Sequence, residues 1–190
     1  MSTSITIQKA TPEDALEIGD VFYRTWLATY PNKEVGLTTD DVEDLWKNRG
    51  NADGSRFKSF PDNELFLTVK VEGHVVGVCS AVKHDPVGEP SGDFTKSPAG
   101  SDINELKAIY VLPEYQGRGV GKMFWSEILK YFDPNKNIKV EVATYNAKAI
   151  EFYKKLGFED TGKRVPMKIN FKSGAVITEM EMELPASKVF

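Results

Sequence analysis

The sequence predicts an α/β (α+β) fold, a central mixed and mostly antiparallel sheet of about seven strands flanked by about four helices. Three observations carry that expectation. Two pairs of β-rich segments are each joined by a tight turn, which sets neighbouring strands antiparallel. Between the strand-like segments lie runs with apolar residues three and four apart, the pattern of helices that lay one face on a sheet. The chain has 190 residues, 41% hydrophobic and 27% charged, ordinary usage for a globular protein and enough to bury roughly 70% of the surface the unfolded chain exposes. A single domain over residues 1–190 is expected, without repeats or an interdomain linker.

The elements follow in order. Ile5 and Ile7 alternate with polar residues as a first strand. Thr11-Pro12-Glu13-Asp14 then supplies an N-cap, a proline at the first helical position and an acid at the third, a capping box. The helix that follows has one apolar face built from Ala15, Ile18, Phe22, Trp26 and Thr29, and it breaks at Pro31. A second short helix is expected from Asp40 to Lys47, capped by Thr38 or Thr39, with Val42, Leu45 and Trp46 inward and Asp40, Asp41, Glu43 and Asp44 outward. Leu65 to Val71 and His74 to Val82 are β-branched and apolar and meet at Glu72-Gly73, a hairpin.

From Lys83 to Ser101 the composition shifts to Pro, Gly, Ser, Asp and Lys, which reads as a long loop insertion, either substrate-side or disordered. Strand composition returns at Ile103 to Val111. The segment Gln116 to Lys122 then runs into a helix bearing Met123, Phe124, Ile128, Leu129 and Phe132, stopped before Pro134. Ile138, Val140 and Val142 alternate with Lys139 and Glu141 as a half-buried strand, and Asn146 caps a helix from Ala147 to Leu156 that Gly157 closes. Val165 to Phe171 and Ala175 to Leu184 make a last hairpin through Lys172-Ser173-Gly174. In its second strand Met180, Met182 and Leu184 share one face, and Glu179, Glu181 and Glu183 share the other.

Composition also excludes. The one cysteine, Cys79, rules out an internal disulfide and a cysteine zinc site and reads as a core residue; with His74 and His84 the only histidines, no metal site is expected. A net charge of −4, from 24 basic and 28 acidic residues, carries no footprint for nucleic acid. No apolar run reaches the roughly 18 residues of a membrane span, and Met1 to Lys9 lacks the basic and apolar regions of a signal peptide. The expectation is a cytoplasmic protein that engages neither membrane nor nucleic acid.

The segment with chemical content is Gln116-Gly117-Arg118-Gly119-Val120-Gly121-Lys122. Three glycines at the mouth of a helix leave successive backbone N–H groups free to converge, with the helix dipole, on an anion such as a phosphate. Two familiar nucleotide motifs fail on spacing. A dinucleotide fingerprint would require glycine where Lys122 stands, and a P-loop would require glycine at Gln116 and a hydroxyl residue at Met123.

The pattern that does match is Gln-x-x-Gly-x-Gly after a strand and Pro113-Glu114-Tyr115, and in this the sequence resembles the GNAT superfamily of acetyl-CoA-dependent N-acetyltransferases. Leu106 to Val111 resembles that family's fourth strand and Gln116 to Gly121 its pyrophosphate loop. Asn146-Ala147, Ala149-Ile150, Phe152-Tyr153 and Leu156-Gly157-Phe158 resemble its second cofactor element. The resemblance implies acetyl-CoA as co-substrate. The backbone from Gly117 to Lys122, including Val120, would hold the pyrophosphate, with Arg118 and Lys122 adding charge, and Ile109, Tyr110 and Val111 would run beside the pantetheine arm. Gln116, Asn146, Ala149 and Phe152 would complete the cofactor site.

It further implies direct transfer in a ternary complex, with Tyr153 as general acid towards the leaving thiolate and Glu105 as base, directly or through water. The acceptor would be a primary amine: a small amine or polyamine, favoured by the acidic charge, or a protein N-terminus or lysine. Trp26-x-x-Thr29-Tyr30 resembles a pattern in bacterial members whose following segment borders the acceptor, which makes Tyr30 to Leu37 the expected acceptor wall. The family often pairs through its C-terminal strands, so a monomer or homodimer is expected. The rival reading is a non-catalytic acetyl-CoA or CoA-binding regulatory module.

Overall fold

A computed structural model describes residues 4–48, 54–83 and 103–189. In chain order the main elements are β1 Ile5–Lys9, α1 Ala15–Thr29, α2 Thr39–Asn48, β2 Glu64–Val71, β3 His74–Lys83, β4 Asn104–Val111, α3 Val120–Tyr131, β5 Ile138–Ala143, α4 Ala147–Lys155, β6 Glu159–Pro166 and β7 Thr178–Leu184. They build the expected mixed α/β fold, with one sheet of seven strands in the order β1-β2-β3-β4-β5-β7-β6. Every pairing is antiparallel except β4 with β5.

That parallel pairing is short. It runs from Asn104 opposite Ile138 to Leu106 opposite Val140 and goes no further, although β4 continues to Val111 and β5 to Ala143. Beyond Leu106 the two strands part, and each keeps its other neighbour, β3 for β4 and β7 for β5. The sheet is therefore split at its centre, with no ladder between β4 and β5 beyond Leu106.

Helices cover both faces. A Cβ on Gly77 of β3 would stand 3.1 Å from Phe124 and 3.3 Å from Val120, so that face carries α3, and the Phe152 ring of α4 lies against Gly121 of α3 on the same side. The core there joins Phe124, Ile128 and Phe158 to Met180, Met182 and Leu184 of β7, as the alternation of that strand predicts. On the opposite face α1 lies over β3 and β4 and packs against α2. Glu72, at φ 52, and Gly73, at φ 89, make the two-residue turn of the β2–β3 hairpin.

The caps follow the sequence with one correction. At the start of α1 the Thr11 backbone N–H donates to Asp14 Oδ2 at 3.1 Å, as the capping box requires. Thr38 caps α2, its hydroxyl oxygen accepting from the Asp41 N–H at 3.2 Å. Asp41 does not face solvent as its place in an acidic run suggests; it is 4% exposed. Its carboxylate accepts from the Thr38 N–H at 2.9 Å, the Thr38 hydroxyl at 2.7 Å and, across the fold, the Ser173 N–H at 2.8 Å. Burial opposes its ionisation, but these hydrogen bonds outweigh it and hold the carboxyl down at about 2.

Asp41→Ala is accordingly expected to cost about 2 kcal/mol, since it removes a cap and leaves buried donors unpaired. The measurement is a denaturant midpoint, and a loss under about 0.5 kcal/mol would contradict the role. With a folded-state value below that of an unfolded carboxylate, this contribution is present at neutral pH and drains away as pH falls from about 4 towards 2.

The C-terminal third departs most from expectation. β6 starts at Glu159, not Val165, and β7 starts at Thr178, not Ala175. Residues 167–177 form no strand; Phe171, Ala175 and Ile177 instead turn into a second small core with Tyr30, Leu37 and Ala143. Of the expected loop 83–101 only Lys83, the last residue of β3, is among the described residues, and the rest lies outside them.

Candidate active site

Two features flank the central gap in the sheet. On the α3 side, the chain leaves β4 through a 3-10 turn at Pro113–Tyr115 and enters the glycine segment. Gly117 has φ 74 and Gly119, the N-cap of α3, has φ 88, the left-handed region that disfavours side chains. Nothing lies within 4 Å of where a Cβ on either would stand, so the loop borders open space at the start of a helix. Gly121 serves another purpose: a Cβ there would be 3.1 Å from the Phe152 ring, so its absence lets α3 and α4 close on each other.

The Gln116 side-chain amide donates to the Val111 carbonyl at 3.0 Å and ties the loop to the end of β4. The Arg118 guanidinium lies 5.3 Å from the Tyr115 ring centroid, and Arg118 and Lys122 are both exposed. Asn146 caps α4 by accepting from the Ala149 N–H at 3.2 Å. Tyr153, on the last turn of α4, is 6% exposed and packs edge-on against Phe152 and Phe158, with centroids 5.4 and 5.6 Å away. Its hydroxyl makes no hydrogen bond among the described residues, and burial holds the phenol well above its ordinary value.

On the α1 side lies a cleft of about 1020 Å³. Its apolar wall is aromatic: Phe22 and Trp26 from α1, Trp46 from α2, Phe57 and Phe60 from the following segment, and Phe66 from β2. Its floor is the polar face of the sheet, with Glu64 and Ser80 on β2 and β3, Glu105 and Tyr110 on β4, Lys139 and Glu141 on β5, and Glu179 on β7. Glu105 and Tyr110 share this face despite their odd spacing because Lys107 is a β-bulge: Leu106 pairs with Ala81 and Ala108 with Ser80, leaving Lys107 extra.

The segment expected as acceptor wall does not line this cleft. Asn32 and Leu37 close a small bridge on each other, and Tyr30 and Leu37 pack with residues 171–177.

The carboxylates of the floor differ in their surroundings. Glu105 is 7% exposed, opposite Lys139 in the parallel register, with the Lys139 ammonium 3.9 Å away. Glu141 has the same ammonium at 3.2 Å, and Glu181 has Lys163 at 2.8 Å. Glu64 accepts from the Ser80 hydroxyl, and burial raises its pKa. The Glu179 carboxylate makes no salt bridge or hydrogen bond among the described residues; burial and the nearby Glu141 charge, opposed by Lys139, push it up to about 7.

That value lies above an unfolded glutamate's roughly 4.3, so the Glu179 contribution to stability is fully present below about pH 4 and is lost as pH rises through about 7. Glu179→Gln is expected to flatten the fall in melting temperature over that window and to melt above the wild type at pH 8. Parallel curves for the two proteins would contradict it.

The sequence profile of the Acetyltransferase (GNAT) family matches residues 21–158. The chain belongs to the GNAT acetyltransferase family. Its fold recurs in the paiA N-acetyltransferase of Thermoplasma acidophilum in complex with coenzyme A, at a TM-score of 0.61 and 19% identity over 93% of this chain and 98% of that one. It recurs too in yncA of Salmonella typhimurium, solved with acetyl-CoA, at a TM-score of 0.57 and 21% identity over 96% and 94%. An uncharacterized N-acetyltransferase of Methanocaldococcus jannaschii is 38% identical over 61 residues, a match that spans 31% of this chain and only 27% of that relative's length.

Within this GNAT chain, the matched region takes in β4, the glycine loop, α3 and α4. It stops before β7, the strand that carries Glu179, which the sequence places with Glu181 and Glu183 on the face opposite Met180, Met182 and Leu184 without marking it as a site residue. No helix among the described residues is long and apolar enough to cross a membrane, and among them no group of three or more His, Cys, Asp and Glu is placed to hold a metal ion.

Proposed function

We propose that the protein transfers the acetyl group of acetyl-CoA to a primary amine by direct attack in a ternary complex. The observation that carries this reading is the gap between β4 and β5, which has the glycine loop on one side and the cleft on the other. The open space at Gly117 and Gly119 fits a pyrophosphate, which the N–H groups from Gly117 to Lys122 would hold, with Arg118 and Lys122 adding charge at the rim. Acetyl-CoA supplies the activated thioester. Its amide-rich pantetheine would lie along the edge of β4 at Ile109, Tyr110 and Val111 that β5 has left, where a backbone N–H would also polarise the thioester carbonyl, an effect worth roughly 3 kcal/mol per donor in other acyl transfers.

Gln116 and Asn146 act by holding the loop and α4 in place, Gly121 and Phe152 by setting how closely the two helices approach, and Ala149 by giving its N–H to the α4 cap. Tyr153 stays protonated because it is buried and gives its proton to the leaving thiolate. A thiolate released in the same dry surroundings is also raised in pKa, which narrows the mismatch between phenol and thiol. Glu105 accepts a proton from the attacking nitrogen, directly or through water. Acceptors are a small amine or polyamine, or a protein N-terminus or lysine.

The test is release of free CoA thiol from acetyl-CoA in the presence of a panel of such amines. Acetyl-CoA binding without thiol release from any of them would turn the reading to a non-catalytic CoA-binding regulatory module.

A further inference from the structure

Glu179 is the carboxylate of the cleft that the mechanism above leaves unused. It stands on β7 opposite Ala143, the last residue of β5, at a level where β4 and β5 have already parted. Its side chain lines the cleft and is partly buried, yet among the described residues no donor or cation is bonded to its carboxylate. The neighbouring carboxylates are each engaged, Glu141 by Lys139, Glu181 by Lys163 and Glu64 by Ser80. A carboxylate partly withdrawn from water without a partner carries a desolvation cost that an arriving cation would offset. Resting on the acetyl-transfer reading, we propose that Glu179 receives the ammonium group of the incoming acceptor and takes its first proton.

The surroundings favour a cation at this place. The groups facing Glu179 are Lys139 and Glu141 from β5, Tyr110 from β4, Tyr30 at the end of α1 and Tyr145 after β5, with Lys163 of β6 already paired to Glu181. The Tyr30 and Tyr110 hydroxyls bond each other at 3.2 Å, and the Tyr145 hydroxyl donates to the Tyr30 carbonyl at 2.9 Å. Burial keeps all three phenols protonated, so none of them competes for the proton. Trp26 and Tyr110 line the same cleft, and aromatic faces attract ammonium. A carboxyl near neutrality exchanges protons with an ammonium at working pH far better than an ordinary glutamate does.

The proton account then closes. An ammonium carries three protons on nitrogen. One passes to Glu179 and frees the lone pair, which attacks the thioester carbonyl carbon. As the C–N bond forms and the C–S bond breaks, the second proton leaves the nitrogen for Glu105 or its water, and the third remains on the amide. The CoA sulfur takes the Tyr153 proton, Tyr153 is reprotonated, and one proton is released to solvent per turnover.

The experiment measures kcat/KM from about pH 6 to 9 for the wild type, Glu179→Gln, Glu179→Asp and Glu105→Gln. The acceptor is the fastest among 2-phenylethylamine, spermidine and an alanine-initiated peptide, and acetyl-CoA binding is followed by calorimetry. Glu179→Gln is expected to lower kcat/KM about 10²-fold and to lose the inflection near pH 7, with acetyl-CoA affinity unchanged. Glu105→Gln should lower kcat and keep that inflection, and Glu179→Asp should restore part of the loss. A Glu179→Gln protein within about twofold of wild type, with the inflection intact, overturns the assignment and leaves acetyl transfer standing. A wild type that binds acetyl-CoA and acetylates no amine overturns both.

Discussion

Tyr153→Phe is expected to lower kcat for acetyl transfer by about 10²-fold while KM for acetyl-CoA stays within about twofold. The substitution removes one oxygen and no carbon. The ring packs between Phe152 and Phe158 and the residue is 6% exposed, so the apolar contacts survive and the helix keeps its place. The hydroxyl makes no hydrogen bond among the described residues, so its loss orphans no protein donor or acceptor there, and stability should change by less than about 1 kcal/mol. A mutation that spares packing and binding but slows turnover marks a group that acts in the transition state. Near-wild-type kcat would remove Tyr153 from the mechanism and leave solvent to protonate the thiolate.

Gly119→Val is expected to weaken acetyl-CoA binding by at least about 10²-fold, some 2.7 kcal/mol, and to destabilise the fold by about 1–3 kcal/mol. Two effects act together. At φ 88 a β-branched residue is strained wherever it points, and the new side chain would enter the open space before α3 that a pyrophosphate needs. Calorimetric titration with CoA separates them: a variant that melts lower but binds CoA as well as the wild type would show that Gly119 serves the turn alone. Gly121→Ala makes a useful contrast, because its Cβ would press on the Phe152 ring and act through the α3–α4 contact.

The parts legible in the sequence are those governed by short-range rules. Gln116 to Lys122 declares itself because an anion loop requires consecutive unhindered backbone groups, and the left-handed angles at Gly117 and Gly119 are a local demand that only glycine meets cheaply. The caps at Thr11, Thr38 and Asn146 and the hairpin turn at Glu72-Gly73 are likewise settled within four residues. Residues 167–177 misled because Ile169, Phe171, Val176 and Ile177 have strand composition. Phe171 and Ile177 are buried against Tyr30 and Leu37, and tertiary packing overrides β propensity there.

The same distinction divides the site. Local chemistry in the sequence determined that a glycine loop opens a helix after a strand, and that Glu179, Glu181 and Glu183 share the face opposite Met180, Met182 and Leu184. Alternation states which residues lie together and is silent on what lies over them. Only the tertiary structure decided that α1 and α2 roof that polar face into a cleft, that a bulge at Lys107 brings Glu105 and Tyr110 to the same side, and that β4 and β5 part after Leu106. Each of those depends on contacts between residues far apart in the chain. Burial, which separates Glu179 from an ordinary surface glutamate, is a property of the assembled fold.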